Sequence, residues 1–373
     1  MTKVFLICSG LGNVKRGFES FTQECFDALS QDSHLDLTLF KGGGKSQGRE
    51  VCLPNLTRTS TTAQQLGNFT NRGAYFIEQA TFTFSLLPYI QRQQPDIIYF
   101  SDGNVGNILW HWRKLAKQKY KLLYSNGGPL PPDFARWDYI QQVAPVHLQL
   151  ALDAGVSAEK QSMVPYGINM SRELKILSED EQVTLKQKLG LPLQRPIILS
   201  VATINNSHKR MNYLIREVAS LSELRPYLLL LGQQDQESPA ILQLGKQLLG
   251  EDNFAAKTVA PEQVKNYHQI ADLFVLASVG EGLPRALLEA ISQGLPCLVH
   301  DYEVARFAVG NQGYLADLNI PGNLVQLINQ ALPNAKNKSL RRQRHFYTYN
   351  RFSWEQLRPR YLKMIQECCK SYH

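Results

Sequence analysis

No stretch of the 373 residues stays apolar for the ~20 positions that a helix needs to cross a bilayer, so no membrane-spanning helix is expected. Cysteine is sparse. The six thiols, at 8, 25, 52, 297, 368 and 369, show no metal-ligand spacing, and the last two are adjacent. Reduced thiols and a cytoplasmic setting are therefore expected, with no metal. Low-complexity tracts are missing too. With 43% apolar and 19% charged residues, the chain reads as globular and long enough for two domains. The opening MTKVFLICSG has too short an apolar run for a signal peptide and reads as a buried first strand.

A phosphate loop is also missing where one is first sought. FKGGGKSQGRE (40–50) places Gly44-Lys45-Ser46 in the right order, but G-x-x-x-x-G-K-[ST] needs glycine at 39, which is Leu39. Gly48 and Pro54 break any helix that could follow. The run is predicted to be a Gly-rich turn leaving a strand, mobile enough to shape a substrate pocket.

Net charge is +8, yet residues 336–373 hold ten Lys/Arg against two Asp/Glu, and the remainder balances. A basic excess confined to one terminal segment, rather than lining a groove, argues against nucleic acid as the partner. Such a segment is either a solvated helix face or a contact for anionic lipid, which would place the protein peripherally at the inner face of a membrane.

Apolar runs alternate with helical spacing throughout. KVFLICS (3–9), LDLTLF (35–40), PDIIYFS (95–101), KLLYSN (121–126) and QSMVPYG (161–167) read as strands, with helices across 18–29, 71–93 and 108–117. The pattern restarts with strands at 195–202, 226–232, 256–259, 273–278 and 296–301, separated by helices at 213–221, 239–249, 262–270 and 285–293. This βαβ series predicts two Rossmann-like α/β domains facing across a cleft, residues 1–167 and 168–350, with a linker near 168–192. Substrates are expected at the carboxyl ends of both sheets.

Two strand-to-helix loops carry the chemistry. LFVLASVGEGLPRALLEAISQG ends a strand at Ser278, passes through a glycine-bearing loop and starts a helix near Pro284-Arg285. Free N–H groups at such a start attract anions. Glu281 in the loop and Glu289 on the helix could accept hydrogen bonds from a vicinal diol; equally, Glu281 could cap the helix and Glu289 face solvent. LSVATINNSHKRMNYLI brings His208, Lys209 and Arg210 to a second strand end, either to pair with a diphosphate or as an exposed basic loop.

EGLPRALLEA (281–290) resembles the E-x7-E signature of retaining glycosyltransferases of family 4, which have the GT-B fold. RGFES (16–20), VPYGIN (164–169), HKRMNYLI (208–215) and RFSWEQLRPRYLKM (351–364) follow in that family's order over nearly the whole chain. The resemblance implies a closing helix, 351–373, that crosses back onto the first domain. It also implies transfer of a sugar from a nucleotide-sugar donor such as a UDP- or GDP-sugar, with no metal and no other cofactor. By position, Lys209 would neutralise the diphosphate with Arg210 helping, Glu281 would hold the donor sugar and Glu289 the ribose. Backbone around Gly282, Leu283, Pro284 and Arg285 would hold phosphate, Gly17 would admit the first-domain loop, and the base would lie near Thr258 and Val259. The acceptor stays open among lipid, saccharide and small molecule.

Two positions depart from the family. Its usual Arg six residues before the phosphate lysine is Thr203 here, and its frequent His in the first domain is Asn126 in YSNGG. Arg210 or Arg285 could replace the missing charge. Asp102, after strand 95–101, is the nearest alternative general base, or else a turn-capping Asp. A catalytically silent GT-B nucleotide-sugar-binding protein and a nucleotide-sugar epimerase are the alternative functions.

Overall fold

The structure is a computed structural model that describes residues 1–14, 16–128, 134–221 and 226–370. The chain divides into two compact units, Met1–Asn169 with Trp354–His373, and Met170–Ser353.

The first unit is built from β1 (Thr2–Cys8), α1 (Gly17–Leu29), β2 (Leu35–Lys41), β3 (Glu50–Cys52), α2 (Thr61–Phe69) and α3 (Gly73–Gln93). After these come β4 (Ile97–Phe100), α4 (Gly103–Leu115), β5 (Lys121–Asn126), β6 (Tyr139–Gln142), α5 (Pro145–Asp153) and β7 (Gln161–Met163). Its seven strands are all parallel, in the order β3-β2-β1-β4-β5-β6-β7. Helices cover both faces of such a sheet, which is why β4 is buried at every position and β1 from Val4 to Cys8.

The second unit contains α6 (Glu179–Leu189), β8 (Ile197–Val201), α7 (Met211–Ala219), β9 (Tyr227–Leu231), α8 (Ser238–Leu249), β10 (Phe254–Lys257) and α9 (Pro261–Ile270). Then follow β11 (Leu273–Leu276), α10 (Arg285–Ser292), β12 (Cys297–His300), α11 (Glu303–Val309), β13 (Tyr314–Ala316), α12 (Asn323–Ala331) and α13 (Lys338–Phe352). Its sheet is parallel with the order β10-β9-β8-β11-β12-β13. In each unit the winding direction reverses beside the first strand, between β1 and β4 and between β8 and β11. Crevices at such switch points are where open α/β sheets place ligands.

The final helix, α14 (Trp354–Lys370), returns to the first unit. Trp354 stacks on Phe21 of α1, and Tyr361 donates to the Pro165 carbonyl at 2.8 Å while accepting from Gln141 of β6 at 2.9 Å.

Within the expected linker lies a helix, α6, closed by a capping box. Ser178 Oγ accepts from Glu181 N at 3.2 Å, and Glu181 Oε2 accepts from Ser178 N at 2.8 Å.

The glycine run leaves β2 at Lys41 and packs against the end of β1. A Cβ on Gly42 would lie 1.9 Å from the Ser9 carbonyl oxygen, and one on Gly12 would lie 2.3 Å from Gly43. Asn13 Nδ2 donates to the Gly42 carbonyl at 2.8 Å, and Lys41 pairs with Glu50. Gly12, Gly42 and Gly43 permit this close backbone approach.

Five of the ten C-terminal cations are engaged within the protein, while Lys336, Lys338, Arg342, Lys363 and Lys370 are exposed. Arg341 and Arg344 are buried, Arg351 lies over the Phe307 and Tyr347 rings, and Arg358 and Arg360 bind Asp32 and the Met163 carbonyl. Three α13 side chains cap the carboxyl end of α10. His345 Nδ1 lies 2.6 Å from the Ser292 carbonyl, and Arg341 and Arg344 donate to those of Gln293 and Gly294 at 3.0 and 3.5 Å. Cations there oppose the helix dipole and satisfy carbonyls without intrahelical partners. Arg341→Ala is expected to cost about 1–3 kcal/mol by orphaning the Gln293 carbonyl and losing packing. A denaturant midpoint equal to wild type would contradict this.

Candidate active site

The second unit's switch point brings two of the expected residues together. Lys209, in the loop after β8, pairs with Glu281, in the loop after β11, and their side chains are only 16% and 13% exposed. His208 Nε2 adds a second basic group 3.8 Å from Glu281. The Lys209 loop is held by its own polar residues: Lys209 N donates to Asn205 Oδ1 at 3.0 Å, and Glu237 accepts from Asn206 N and Ser207 N at 2.7 and 2.9 Å. A hydrogen bond from the Ser207 side chain, together with those two, holds the Glu237 carboxyl below its usual range.

Glu281 has a further neighbour. Burial pushes the Tyr302 phenol up, and the nearby Glu281 charge adds to it. The Tyr302 hydroxyl has no hydrogen-bond partner among the described residues. Past Gly282 and the buried Leu283, Pro284 enters α10 with extended backbone and no side-chain cap bond. Glu289 sits one turn after Arg285 and pairs with it at 3.5 Å, so Glu289, 38% exposed, is not simply a solvent-facing residue.

Arg210 is directed elsewhere than its sequence neighbours suggest. With φ at 53° it turns back, donates to the Leu318 carbonyl at 3.1 Å and lies 4.5 Å over the Tyr213 ring. It braces the strand ends and does not join Lys209. Thr203 lies two residues past the end of β8, its carbonyl accepting from Asn205 N at 2.9 Å. Val259 is half-buried beyond β10, next to Thr258, whose hydroxyl donates to the Gly232 carbonyl at 2.7 Å. Gly232 must stay glycine, since a Cβ there would lie 1.7 Å from the Ala202 carbonyl oxygen.

In the first unit, the switch point holds Asp102. It occupies the N-cap position of α4 but makes no side-chain cap bond. Instead Tyr75 donates to its Oδ1 at 2.5 Å and Ser9, at the end of β1, to its Oδ2 at 3.1 Å. Burial pushes the Asp102 carboxyl up, against the pull of these two hydrogen bonds. Arg58 lies 4.1 Å over the Tyr75 ring and binds Glu78 in bidentate fashion. Glu19, one turn into the helix that Gly17 opens, is 7% exposed, and its carboxyl is raised by burial although Arg58 and Arg16 draw it down. Asn126 differs: it is 3% exposed and donates to Gln142 Oε1 at 2.7 Å, tying β5 to β6. The Tyr75, Arg58–Glu78 and Ser9 contacts carry no sequence signal, because their partners lie 20 to 93 positions away. Among the described residues, no three His, Cys, Asp or Glu side chains converge as metal ligands, and no helix is long and apolar enough to cross a membrane.

Two parallel-sheet Rossmann-like units in one chain, the second with a paired lysine and glutamate at its switch point, define the GT-B class of glycosyltransferase folds. Residues 181–351, inside the second unit, match the family described as glycosyl transferases group 1. Sucrose-phosphate synthase from Thermosynechococcus elongatus superposes with a TM-score of 0.80 at 17% identity, covering 98% of this chain and 99% of that one. Anabaena HepE in complex with UDP-glucose gives 0.75 at 13% identity, covering 98% and 100%. The lipopolysaccharide 1,2-N-acetylglucosaminetransferase of Salmonella typhimurium is 24% identical over 199 residues, 50% of this chain and 52% of that enzyme. Matches to curated relatives span from 15% to 52% of those relatives' own length.

Proposed function

We propose that this chain is a retaining glycosyltransferase that moves a sugar from a nucleotide diphosphate sugar to a saccharide or saccharide-bearing acceptor. The observation that carries the proposal is the half-buried Lys209–Glu281 pair beside the start of α10. A diphosphate competes for Lys209 and for the backbone N–H groups of Gly282 and Leu283, while the sugar's hydroxyls donate to the Glu281 carboxylate that the lysine releases. Arg285 fixes Glu289 to accept from the ribose hydroxyls. Positive charge on the leaving group then comes from one lysine and a helix start, and no metal is required.

In a front-face transfer, the acceptor oxygen bonds to the anomeric carbon as the bond to the diphosphate oxygen breaks. That same phosphate oxygen takes the acceptor's proton, so no separate general base is needed. Asp102, held by Tyr75 and Ser9 in the acceptor-side unit, orients the acceptor hydroxyl. The UDP-glucose bound by HepE and the lipopolysaccharide named for the Salmonella enzyme support a uridine donor and a saccharide acceptor.

A panel of UDP-, GDP- and ADP-sugars tests this. Turnover of one donor, unchanged by EDTA, is expected, with the anomeric configuration kept when the product is followed by proton NMR. An inverted product would overturn the retaining assignment. Tight donor binding without turnover would favour the second reading, a silent nucleotide-sugar binder, for which the diversion of Arg210 to carbonyls and the threonine at 203 speak.

A further inference from the structure

In the first unit, α3 and α4 leave an apolar stripe uncovered. Ile108, His111, Trp112 and Leu115 recur at the spacing of one helix face, and with Phe84 and Leu87 of α3 they line a groove of about 360 Å³. Phe84 is 62% exposed and Leu115 78%, where the core-facing residues of the same helices, Phe82 and Leu109, are fully buried. Single exposed apolar residues need no explanation, but a lined groove at helical spacing does.

The segment that carries α4 has charge of one sign. Residues 103–121 hold five Lys/Arg and no Asp/Glu. Lys114, Lys117 and Lys119 are exposed, and Lys114 Nζ lies 3.5 Å from the centroid of the Trp110 ring. The only acid on α3, Glu78, is buried and bound to Arg58. A helix dipole accounts for cations in the last turn of α4, but not for Lys117 and Lys119 beyond it, nor for the bare apolar stripe.

We infer that the α3–α4 face docks on an anionic lipid bilayer. Phe84 and Leu115 enter the boundary between headgroups and acyl chains, and Lys114, Lys117 and Lys119 meet the headgroup phosphates. Apolar burial and cation–headgroup attraction add in such a surface, and tryptophan suits the same depth. The membrane contact is thereby assigned to the first unit's helices rather than to the C-terminal segment, where five of the ten cations are engaged within the protein.

Sedimentation of the full chain with vesicles tests the inference, using phosphatidylcholine alone or with roughly one-third phosphatidylglycerol. Pelleting is expected only with the anionic vesicles and should weaken as salt rises. Replacing Lys114, Lys117 and Lys119 by Gln should weaken it about 100-fold, the product of three headgroup contacts. Leu115→Glu with Phe84→Glu should abolish it, while circular dichroism and donor turnover stay as in the wild type, since neither position touches the donor site. No pelleting with anionic vesicles overturns the inference, as does pelleting of the variants equal to wild type. So does a wild-type dimer in light scattering that Leu115→Glu dissociates, because the face would then bind a second copy.

Discussion

Glu281→Gln is expected to lower kcat/KM for donor turnover about 100-fold, and Lys209→Met about 100- to 1000-fold, the range seen when one preorganised electrostatic partner of a developing charge is removed. The two side chains act as a pair, so the double variant should be no worse than the poorer single one. Stability should show the opposite order. Lys209→Met leaves a largely enclosed carboxylate without its cation, at a cost of about 1–3 kcal/mol, whereas the double change removes both charges and should recover most of that. Steady-state kinetics and thermal midpoints of the three variants check both halves. Single variants with wild-type turnover would remove these residues from the site. Losses that multiply in the double variant would show that the two side chains act separately.

The second large effect is acid sensitivity of the second unit. His268 on α9 is 2% exposed, its ring lies 6.0 Å from Phe274, and its Nε2 has no partner among the described residues. Burial lowers its pKa to about 4, against about 6.5 in an unfolded chain. The folded state therefore binds this proton less readily than the unfolded chain does. The stability contribution is intact above pH ~6.5 and is lost as pH falls from there towards ~4. Integrated to pH 5, the loss is about 2 kcal/mol, and about 3 kcal/mol once both states are protonated. Urea unfolding at pH 7 and pH 5 should show wild type losing about 2 kcal/mol more than His268→Gln. An equal loss in both proteins would contradict the assignment.

Elements with a strong, regular pattern were legible before any coordinates. The apolar runs of β1, β4, β8, β9 and β11 read as buried parallel strands, because a sheet covered on both faces needs apolar residues at successive positions. Elements held by side-chain hydrogen bonds were not. β6 is Tyr-Ile-Gln-Gln, fully buried, and Gln141 survives there only because its amide donates to the Val164 carbonyl and the Tyr361 hydroxyl. No apolar periodicity announces such a strand. α2, α5 and the three-residue β3 were missed for the same reason: their sequences carry little pattern of their own.

The site divides in the same way. Order along the chain placed Lys209 and Glu281 at strand ends, since loops that leave parallel strands meet at one edge of the sheet. Only the tertiary structure decided which neighbours those loops would share. Arg210 follows Lys209 directly, yet a left-handed backbone at that residue turns its guanidinium onto carbonyls. Tyr75 reaches Asp102 from 27 positions away. Arg341 and Arg344, open charges in the sequence, become caps on α10 in the fold. Local sequence sets conformational preference and the periodicity of burial. Partner choice for a charged side chain depends on which distant backbone or carboxylate lies within about 3 Å, and only the folded chain fixes that.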